Sequence, residues 1–264
     1  MLPPDKNFAG GRRTSLFICF KSRENARRIG NNVIRTPYFS YLCYPINKTM
    51  QYNEKDIDIY VRGHSTPESD VLRELDRQTH LRAVQPRMLS GHIQGKTMEM
   101  MVRMLRPRRV LEIGTFTGYS AIAMAQGLAE DAYIDTVDPD DELEYLCASF
   151  AERAGLSDRI RIHTGSALDV VPRLGTCYDL VYIDGDKREY PEYYDMLMQG
   201  GHVRGGSFIL ADNTLWDGKV AVPPDKRDDH TEALRRFNDT VASDDRVEVV
   251  ILPLRDGLSI IRVK

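Results

Sequence analysis

The fold of this 264-residue chain is constrained most by the regular alternation, from residue 109 onward, of short apolar runs with helix-like segments. The apolar runs are rich in Val, Ile and Leu, and their length is typical of buried strands. They occupy residues 109–114, 133–138, 159–165, 178–185 and 207–213. Helix-like segments lie between several of them, at residues 118–129, 141–155 and 191–201. This alternation predicts a parallel sheet that is covered by helices on both faces.

The C-terminal part of the chain predicts an antiparallel end to this sheet. Two further strand-like runs, at residues 246–254 and 258–264, are joined by the hairpin signal Arg255-Asp256-Gly257. The predicted fold class is therefore α/β, a doubly wound, Rossmann-like, mostly parallel sheet of seven strands with an antiparallel C-terminal hairpin. In such a sheet, ligands bind beyond the carboxyl ends of the strands.

Two helix-like segments precede the sheet. For residues 66–83, we expect Ser65 or Thr66 as the N-cap and Pro67 at the first helical position, because proline suits that position. The second segment, residues 90–106, carries a series of methionines and ends before Pro107. We interpret these methionines as core packing, since methionine fills irregular gaps between helices and sheets.

Charge divides the chain near residue 50. Residues 1–49 carry nine Lys or Arg and two Asp or Glu, whereas the remainder carries twenty-seven and thirty-seven. We therefore predict that residues 1–49 are a basic extension that is poorly ordered or not native, with Met50 as the natural start. Residues 50–264 are predicted to form a single domain, and its acidic composition argues against a nucleic-acid-binding protein.

The composition predicts neither a membrane protein nor a cysteine framework. No apolar run approaches the roughly 20 residues that a membrane helix needs. The four cysteines are widely spaced and form no CxxC pair. This spacing favours a protein of the reducing cytoplasm over a disulfide-rich or zinc-binding protein.

The first strand-like run ends in a turn flanked by Gly114 and Gly118, where the missing Cβ lets a ligand approach the backbone. Glu112 lies within the end of this run, and Asp138 closes the next run. An acidic side chain at that position is well placed to accept both hydroxyls of a ribose. The alternative is that Asp138 caps the helix after Pro139. Because the pattern ExGxxxG differs from the phosphate-binding GxGxxG, the turn suits a nucleoside without a pyrophosphate.

Oxygen-bearing side chains stand at the ends of the fourth and fifth runs. Asp184 ends the fourth run, and Asp212 and Asn213 end the fifth. Neighbouring parallel strands lie about 5 Å apart, so these side chains are expected to converge. Two carboxylates and an amide suit Mg²⁺, or Mn²⁺ or Ca²⁺ in its place. Asp186 is a competing candidate, to which we assign a supporting or solvated role.

Lys187 and Trp216 each have a functional and a structural interpretation. Lys187 is either a solvated loop lysine or a base beside the metal, and as a base it needs a nearby cation to favour its neutral form. Trp216 either forms an aromatic wall for a planar substrate or packs against the core. Tyr193 and Tyr194 carry the same alternatives, and core packing is the favoured interpretation.

Four ordered motifs resemble the cation-dependent class I O-methyltransferases that use S-adenosylmethionine, a family that includes catechol and caffeoyl-CoA O-methyltransferases. The motifs are VLEIGTFTGYSAIAMA at residues 110–125, YIDGDKREYPEYYD at 182–195, ILADNTLWDGKV at 209–220 and LPLRDGLSIIRVK at 252–264. The resemblance covers about residues 55–264, and DNTLW is similar to the caffeoyl-CoA and bacterial branch. It implies S-adenosylmethionine and a divalent cation as cofactors.

The resemblance also implies a role for individual residues. Lys187 matches the proposed base of the family, and Trp216 is a candidate substrate contact. Gly185 departs from the family, in which alanine or a bulkier residue follows the first metal aspartate. The implied metal ligands are Asp184, Asp212 and Asn213, with Asp184 also counted as catalytic. The implied cofactor contacts are Ser90, Glu112, Gly114, Tyr119, Ser120, Asp138, Ala167 and Asp184.

The substrate is the point at which the sequence leaves alternatives open. A vicinal diol on an aromatic ring, as in a catechol or caffeoyl-type compound, suits bidentate binding to a cation. One alternative is a methyltransferase of hydroxylated uridine in tRNA, for which the basic residues 1–49 would be the supporting feature. A second alternative is a non-catalytic cofactor-binding protein. Relatives commonly form dimers, which makes the helices at residues 66–105 the expected interface of a homodimer.

Overall fold

The computed structural model describes residues 54–223 and 228–264, together with the backbone of two paired two-residue strands at Arg28–Ile29 and Asn32–Val33. Apart from those four residues, the predictions for residues 1–49 and for a start at Met50 lie outside the described residues. Within the described residues, no helix combines the length and the apolar character that are needed to cross a membrane.

One seven-stranded sheet forms the centre of the domain. Its strands are β1 Arg109–Ile113, β2 Tyr133–Asp138, β3 Ile160–Thr164, β4 Leu180–Ile183, β5 Phe208–Asp212, β6 Val247–Leu252 and β7 Leu258–Val263. They run in the spatial order β3-β2-β1-β4-β5-β7-β6, and the pairs among β1 to β5 are parallel. Strand β7 pairs antiparallel with both β5 and β6. The predicted fold class, including the antiparallel C-terminal hairpin, is confirmed.

Helices cover both faces of the sheet. The helices are α1 Glu54–Gly63, α2 Asp70–Arg82, α3 Gly91–Leu105, α4 Tyr119–Ala125, α5 Glu144–Arg153, α6 Ala167–Leu174, α7 Tyr190–Gln199 and α8 Asp229–Ser243. Buried side chains of α2 to α5 form one apolar cluster against the sheet, and those of α6 to α8 form a second cluster against the opposite face. Strands buried on both faces explain why their sequences are continuous apolar runs.

Two details of the helices differ from the sequence-based expectation. The expected N-cap at Ser65 or Thr66 is wrong, because α2 begins at Asp70 and the Ser69 hydroxyl accepts the capping hydrogen bond from Leu72. The interpretation of every methionine in α3 as core packing is also wrong. Met98 is fully buried, but Met104 is 72% exposed, because only one side of α3 faces the sheet.

Gly114 follows β1 at a point of close approach between two strand ends. Its φ of +105° lies in the region that favours glycine. A Cβ at this position would lie 2.5 Å from the backbone carbonyl oxygen of Asp184. The missing side chain therefore lets the ends of β1 and β4 pack directly against each other.

We predict that Gly114→Ala lowers the free energy of unfolding by roughly 2–4 kcal/mol, within the range of severe single substitutions. Gly175→Ala is the matched control, because Gly175 also has a positive φ, of +58°, but no atom lies within 4 Å of the point that its Cβ would occupy. The control should cost about 1 kcal/mol, the strain of a left-handed alanine alone. Urea unfolding followed by circular dichroism measures both, and equal losses would contradict the crowding at Gly114.

Candidate functional site

The candidate site lies at the carboxyl ends of β1, β2, β4 and β5, on the face covered by α2 to α5. Alternate residues of a strand point to the same face, and Glu112 of β1 lies opposite Tyr182 of β4 in the parallel register. In the next pair, Ile183 lies opposite Ala211, so Asp184 and Asp212 follow side by side at the end of their strands. The expected convergence of these two carboxylates is therefore a consequence of strand register.

Glu112 is a fully buried carboxylate with one oxygen unused. Its Oε2 accepts a hydrogen bond from the Thr136 hydroxyl, whereas its Oε1 has no hydrogen-bond partner among the described residues. Burial raises the pKa of Glu112 to about 8, because desolvation disfavours the charged form. An unpartnered buried oxygen needs an explanation, and a positively charged ligand group beside it would provide one.

Asp138 joins the end of β2 to the turn that follows β1. Its Oδ2 accepts a hydrogen bond from the Phe116 backbone N–H at 2.9 Å, and its Oδ1 accepts one from Asp140 at 3.0 Å. Helix α5 begins six residues later, at Glu144, so Asp138 does not cap that helix. Its carboxylate stays partly exposed, which leaves it accessible to a ligand.

Further predicted cofactor contacts are buried. Ser90 directly precedes α3, Ser120 lies in the first turn of α4, and Ala167 begins α6. Tyr119 is 2% exposed, and its hydroxyl donates to the Glu68 carboxylate. The Tyr119 side chain thus has a structural partner of its own.

Asp184, directly after β4, and Asp212, at the end of β5, lie on either side of the Tyr182 hydroxyl. The Tyr182 hydroxyl lies 3.0 Å from Asp212 Oδ2, to which it donates, and 3.5 Å from Asp184 Oδ2. Asp212 Oδ1 accepts from the Asn213 backbone N–H at 2.8 Å. Asn213 has a φ of +56°, a conformation that asparagine tolerates better than most residues. The three candidate ligands are therefore adjacent.

Lys187 forms a close ion pair with Asp184. Its Nζ donates to Asp184 Oδ1 at 2.7 Å and to the Gly185 carbonyl oxygen at 3.1 Å, and the residue is 9% exposed. The interpretation of Lys187 as a solvated loop lysine is therefore wrong. Burial raises the pKa of Asp184, the Asp212 charge acts in the same direction, and Lys187 opposes both.

Asp186, the competing candidate, lies on the surface. Its carboxylate accepts from the backbone N–H of Arg188 at 2.9 Å and pairs with the Arg188 guanidinium. This pairing lowers the pKa of Asp186. The supporting or solvated role of Asp186 stays a prediction.

The donor set fits a hard divalent cation. Within residues 54–223 and 228–264, no three His, Cys, Asp or Glu side chains converge as a metal cluster, so a cation would rely on two carboxylates and the amide oxygen of Asn213. Oxygen ligands of this kind suit Mg²⁺, Mn²⁺ or Ca²⁺ rather than zinc. Burial raises the pKa of Asp184, and a bound cation would favour its charged form.

Trp216 lies in the loop after β5, in contact with α8. Its indole ring stacks on the His230 ring with 5.7 Å between centroids, and its φ is +48°. The indole Nε1 is buried and has no partner in the part of the chain that the structure describes. Core packing is confirmed for Tyr193 and Tyr194, which are both buried and donate to Glu189 and Asp244.

Three site residues were not identified from the sequence. Gln94 and Tyr182 both donate to the Asp212 carboxylate, and Arg255 donates to the Gln94 side chain at 2.6 Å. The one available signal was Tyr182, a hydroxyl-bearing residue inside an otherwise aliphatic strand. Gln94 lies in a helix and Arg255 in a hairpin, so neither position indicates a contact with β5.

Comparison with known proteins agrees with this geometry. A family model described as O-methyltransferase matches residues 62–264. The caffeoyl-CoA O-methyltransferase of Stellaria longipes is 30% identical over 205 residues, which are 74% of this chain and 84% of that protein. The catechol O-methyltransferase of Niastella koreensis is 31% identical over 180 residues, which are 65% of this chain and 80% of that protein.

A solved structure shares the fold as well. The SAH-bound methyltransferase PaMTH1 of Podospora anserina superposes with a TM-score of 0.74 at 27% identity, over 81% of this chain and 97% of that one. The family match extends over most of the chain, and the sheet order and the acidic strand ends lie within the matched region. The chain therefore belongs to the S-adenosylmethionine-dependent O-methyltransferase family.

Proposed function

We propose that the protein transfers the methyl group of S-adenosylmethionine to a phenolic hydroxyl of a catechol or caffeoyl-type compound, and that a divalent cation is required. The observation that carries this proposal is the pair of adjacent carboxylates, Asp184 and Asp212, on either side of the Tyr182 hydroxyl. Such a pair beside a cofactor-binding turn suits a substrate that offers two neighbouring oxygens.

The cofactor is proposed to lie across the ends of β1 and β2. Asp138 would accept the ribose hydroxyls, and the unpartnered Oε1 of Glu112 would face the positively charged methionine portion. Gly114 lets the backbone approach closely. The assignments of Ser90, Tyr119, Ser120, Ala167 and Asp184 to cofactor contacts stay proposals that rest on the family resemblance.

Asp184, Asp212 and Asn213 are the proposed ligands of the cation. When bound, the cation supplies positive charge that makes a substrate hydroxyl more acidic and competes with the Lys187 ammonium for Asp184. The same positive charge would favour the neutral amine of Lys187, and in that form Lys187, whose Nζ lies 2.7 Å from Asp184 Oδ1, is proposed to accept the hydroxyl proton. The fixed orientation of substrate and cofactor then favours in-line attack on the methyl group.

The substrate class is argued from the ligand set and from relatives. Two relatives are named for caffeoyl-CoA and for catechol, and both names denote a ring with adjacent hydroxyls. Trp216, which lies in the loop after β5 and stacks on His230, is proposed to form an aromatic wall against the substrate ring. The basic residues 1–49, which would support a tRNA substrate, lie outside the described residues.

A homodimer and a cytoplasmic location are further proposals. Several apolar side chains between residues 81 and 104 are exposed, among them Leu81, Val84, Met100 and Met104. Apolar surface of this kind is typical of a contact with a second copy.

Cys147 and Cys177 are free thiols, which is consistent with a reducing compartment.

We predict that Asp212→Asn lowers the rate of methyl transfer to a simple catechol by about 100-fold or more, because even loss of an outer contact to a metal ligand costs 10–100-fold. Transfer is measured with labelled S-adenosylmethionine and Mg²⁺, with and without chelator. Asp186→Asn is the matched control and should stay within a few-fold of wild type, because Asp186 pairs with Arg188 on the surface. Chelator-resistant transfer would contradict the cation requirement.

We predict that Glu112→Gln removes part of the pH dependence of stability. Between pH 4.5 and about 8, folded wild type holds a proton on Glu112 that the unfolded chain releases, so wild-type stability falls as the pH rises. Glutamine has no such equilibrium. Between pH 5 and pH 8, cofactor-free wild type should lose more than about 1 kcal/mol relative to the variant, since one pKa unit corresponds to about 1.4 kcal/mol.

Urea unfolding at both pH values measures the Glu112→Gln effect. The same variant should bind S-adenosylhomocysteine about tenfold more weakly, because a charge-assisted contact is worth at least 1.4 kcal/mol. Parallel pH dependence of wild type and variant would contradict the raised pKa, and unchanged affinity would contradict the cofactor role of Glu112.

A further inference from the structure

A continuous chain of hydrogen bonds connects the C-terminal hairpin with the end of β5. Arg255 Nη1 donates to Gln94 Oε1 at 2.6 Å, and Gln94 Nε2 donates in turn to Asp212 Oδ2 and, at 2.9 Å, to the Tyr182 hydroxyl. Gln94 and Tyr182 are buried. Because arginine only donates and a carboxylate only accepts, the two ends of the chain fix which way the Gln94 amide points.

Arg255 has a left-handed backbone conformation that glycine adopts more readily than other residues. It follows Leu254 in a tight turn closed by the hydrogen bond from Gly257 N–H to Leu254 O at 2.9 Å, and its φ is +50°. A non-glycine residue in this region costs about 1–2 kcal/mol. A strained residue that persists points to a role for its side chain.

The guanidinium of Arg255 reaches the segment that leads into α3. Besides the Gln94 side chain, it contacts the backbone carbonyl oxygens of Ser90 and, at 3.5 Å, of Leu89. Ser90 is one of the proposed cofactor contacts. Arg255 therefore joins the Leu89–Ser90 segment, which includes a proposed cofactor contact, to the amide that contacts Asp212.

At the other end, the chain determines which oxygen of Asp212 is free. Each carboxylate oxygen offers about two lone-pair sites. Oδ2 receives two donors, from Tyr182 and Gln94, whereas Oδ1 receives only the Asn213 N–H among the described contacts. Asp212 Oδ1 therefore keeps a lone-pair site that could bind a cation.

We propose that Arg255 and Gln94 are positioning residues that couple cofactor binding to cation binding, an inference that rests on the proposed function. A cofactor that holds the Leu89–Ser90 segment also holds Arg255 and, through it, the Gln94 amide. Gln94 in turn keeps Asp212 oriented with Oδ1 available. By thermodynamic linkage, the cation strengthens cofactor binding by the same factor.

The test is calorimetric and needs no turnover. The dissociation constant of Mn²⁺ is measured with and without saturating S-adenosylhomocysteine, for wild type, Arg255→Gly and Arg255→Lys. In wild type, S-adenosylhomocysteine should tighten Mn²⁺ binding by about 5-fold or more, the lower end of usual coupling factors. In Arg255→Gly this factor should fall to about one. Arg255→Lys should also lose most of it, because lysine lacks the planar fork that contacts Ser90 and Gln94 together.

Two controls separate coupling from folding. Glycine removes the backbone strain at position 255, which offsets part of the cost of losing the contacts with Gln94 and Ser90, and all titrations are done at a temperature at which circular dichroism shows Arg255→Gly to be folded. The second control is Arg204→Ala. Arg204 lies just before β5 and donates to Asp179 at 2.7 Å, and it takes no part in the chain of hydrogen bonds from Arg255 to Asp212. This variant should keep the wild-type coupling factor.

The outcomes are distinguishable. If wild type shows coupling and Arg255→Gly retains it, the positioning role is overturned and the proposed function stands. If wild type binds both ligands independently, coupling itself is overturned. If wild type binds S-adenosylhomocysteine but not Mn²⁺, the proposed cation requirement fails, and the inference fails with it.

Discussion

The register between the parallel strands β4 and β5 is the constraint on which the site depends. It places Ile183 opposite Ala211, so that Asp184 and Asp212 leave the sheet together on one face. A slip of one residue would turn Asp212 to the opposite face. The register is strongly specified because both faces are buried, with Tyr182 against α2 to α5 and its neighbours in the strand against α6 to α8.

This geometry concentrates carboxyl groups in a buried region. Glu112 and Asp184 both have raised pKa values, for which burial is the largest cause. The Lys187 ammonium contacts Asp184 and the Tyr182 hydroxyl contacts Asp212, but Glu112 Oε1 stays without a partner in the described residues. A positively charged cofactor group or a divalent cation bound here would favour the ionised form of these carboxyl groups.

Sequence patterns predicted the strands, the C-terminal hairpin and the pair of aspartates, because these features depend on residues that are close together in the sequence. The strand runs, the hairpin and the placement of Asp184 beside Asp212 follow from periodicity and from the rule that parallel strands end at one edge. Helices α1, α6 and α8 were not assigned; α6 contains Pro172, and α8 is mostly polar. Gln94 contacts Asp212 across 118 positions of the sequence, and Arg255 contacts Gln94 across 161. No local pattern encodes such a contact, because it arises only when α3 and the hairpin pack on the sheet.

We propose that the ends of β1, β2, β4 and β5 hold a cofactor and a cation side by side. The decisive measurement is a crystal structure of the protein with S-adenosylhomocysteine and Mn²⁺, with anomalous data collected for manganese. We predict a single strong manganese peak bound by Asp184, Asp212 and Asn213, and the ribose hydroxyls on Asp138. Bound S-adenosylhomocysteine without manganese at these residues, or with manganese elsewhere, would show that this edge of the sheet is not a cation site.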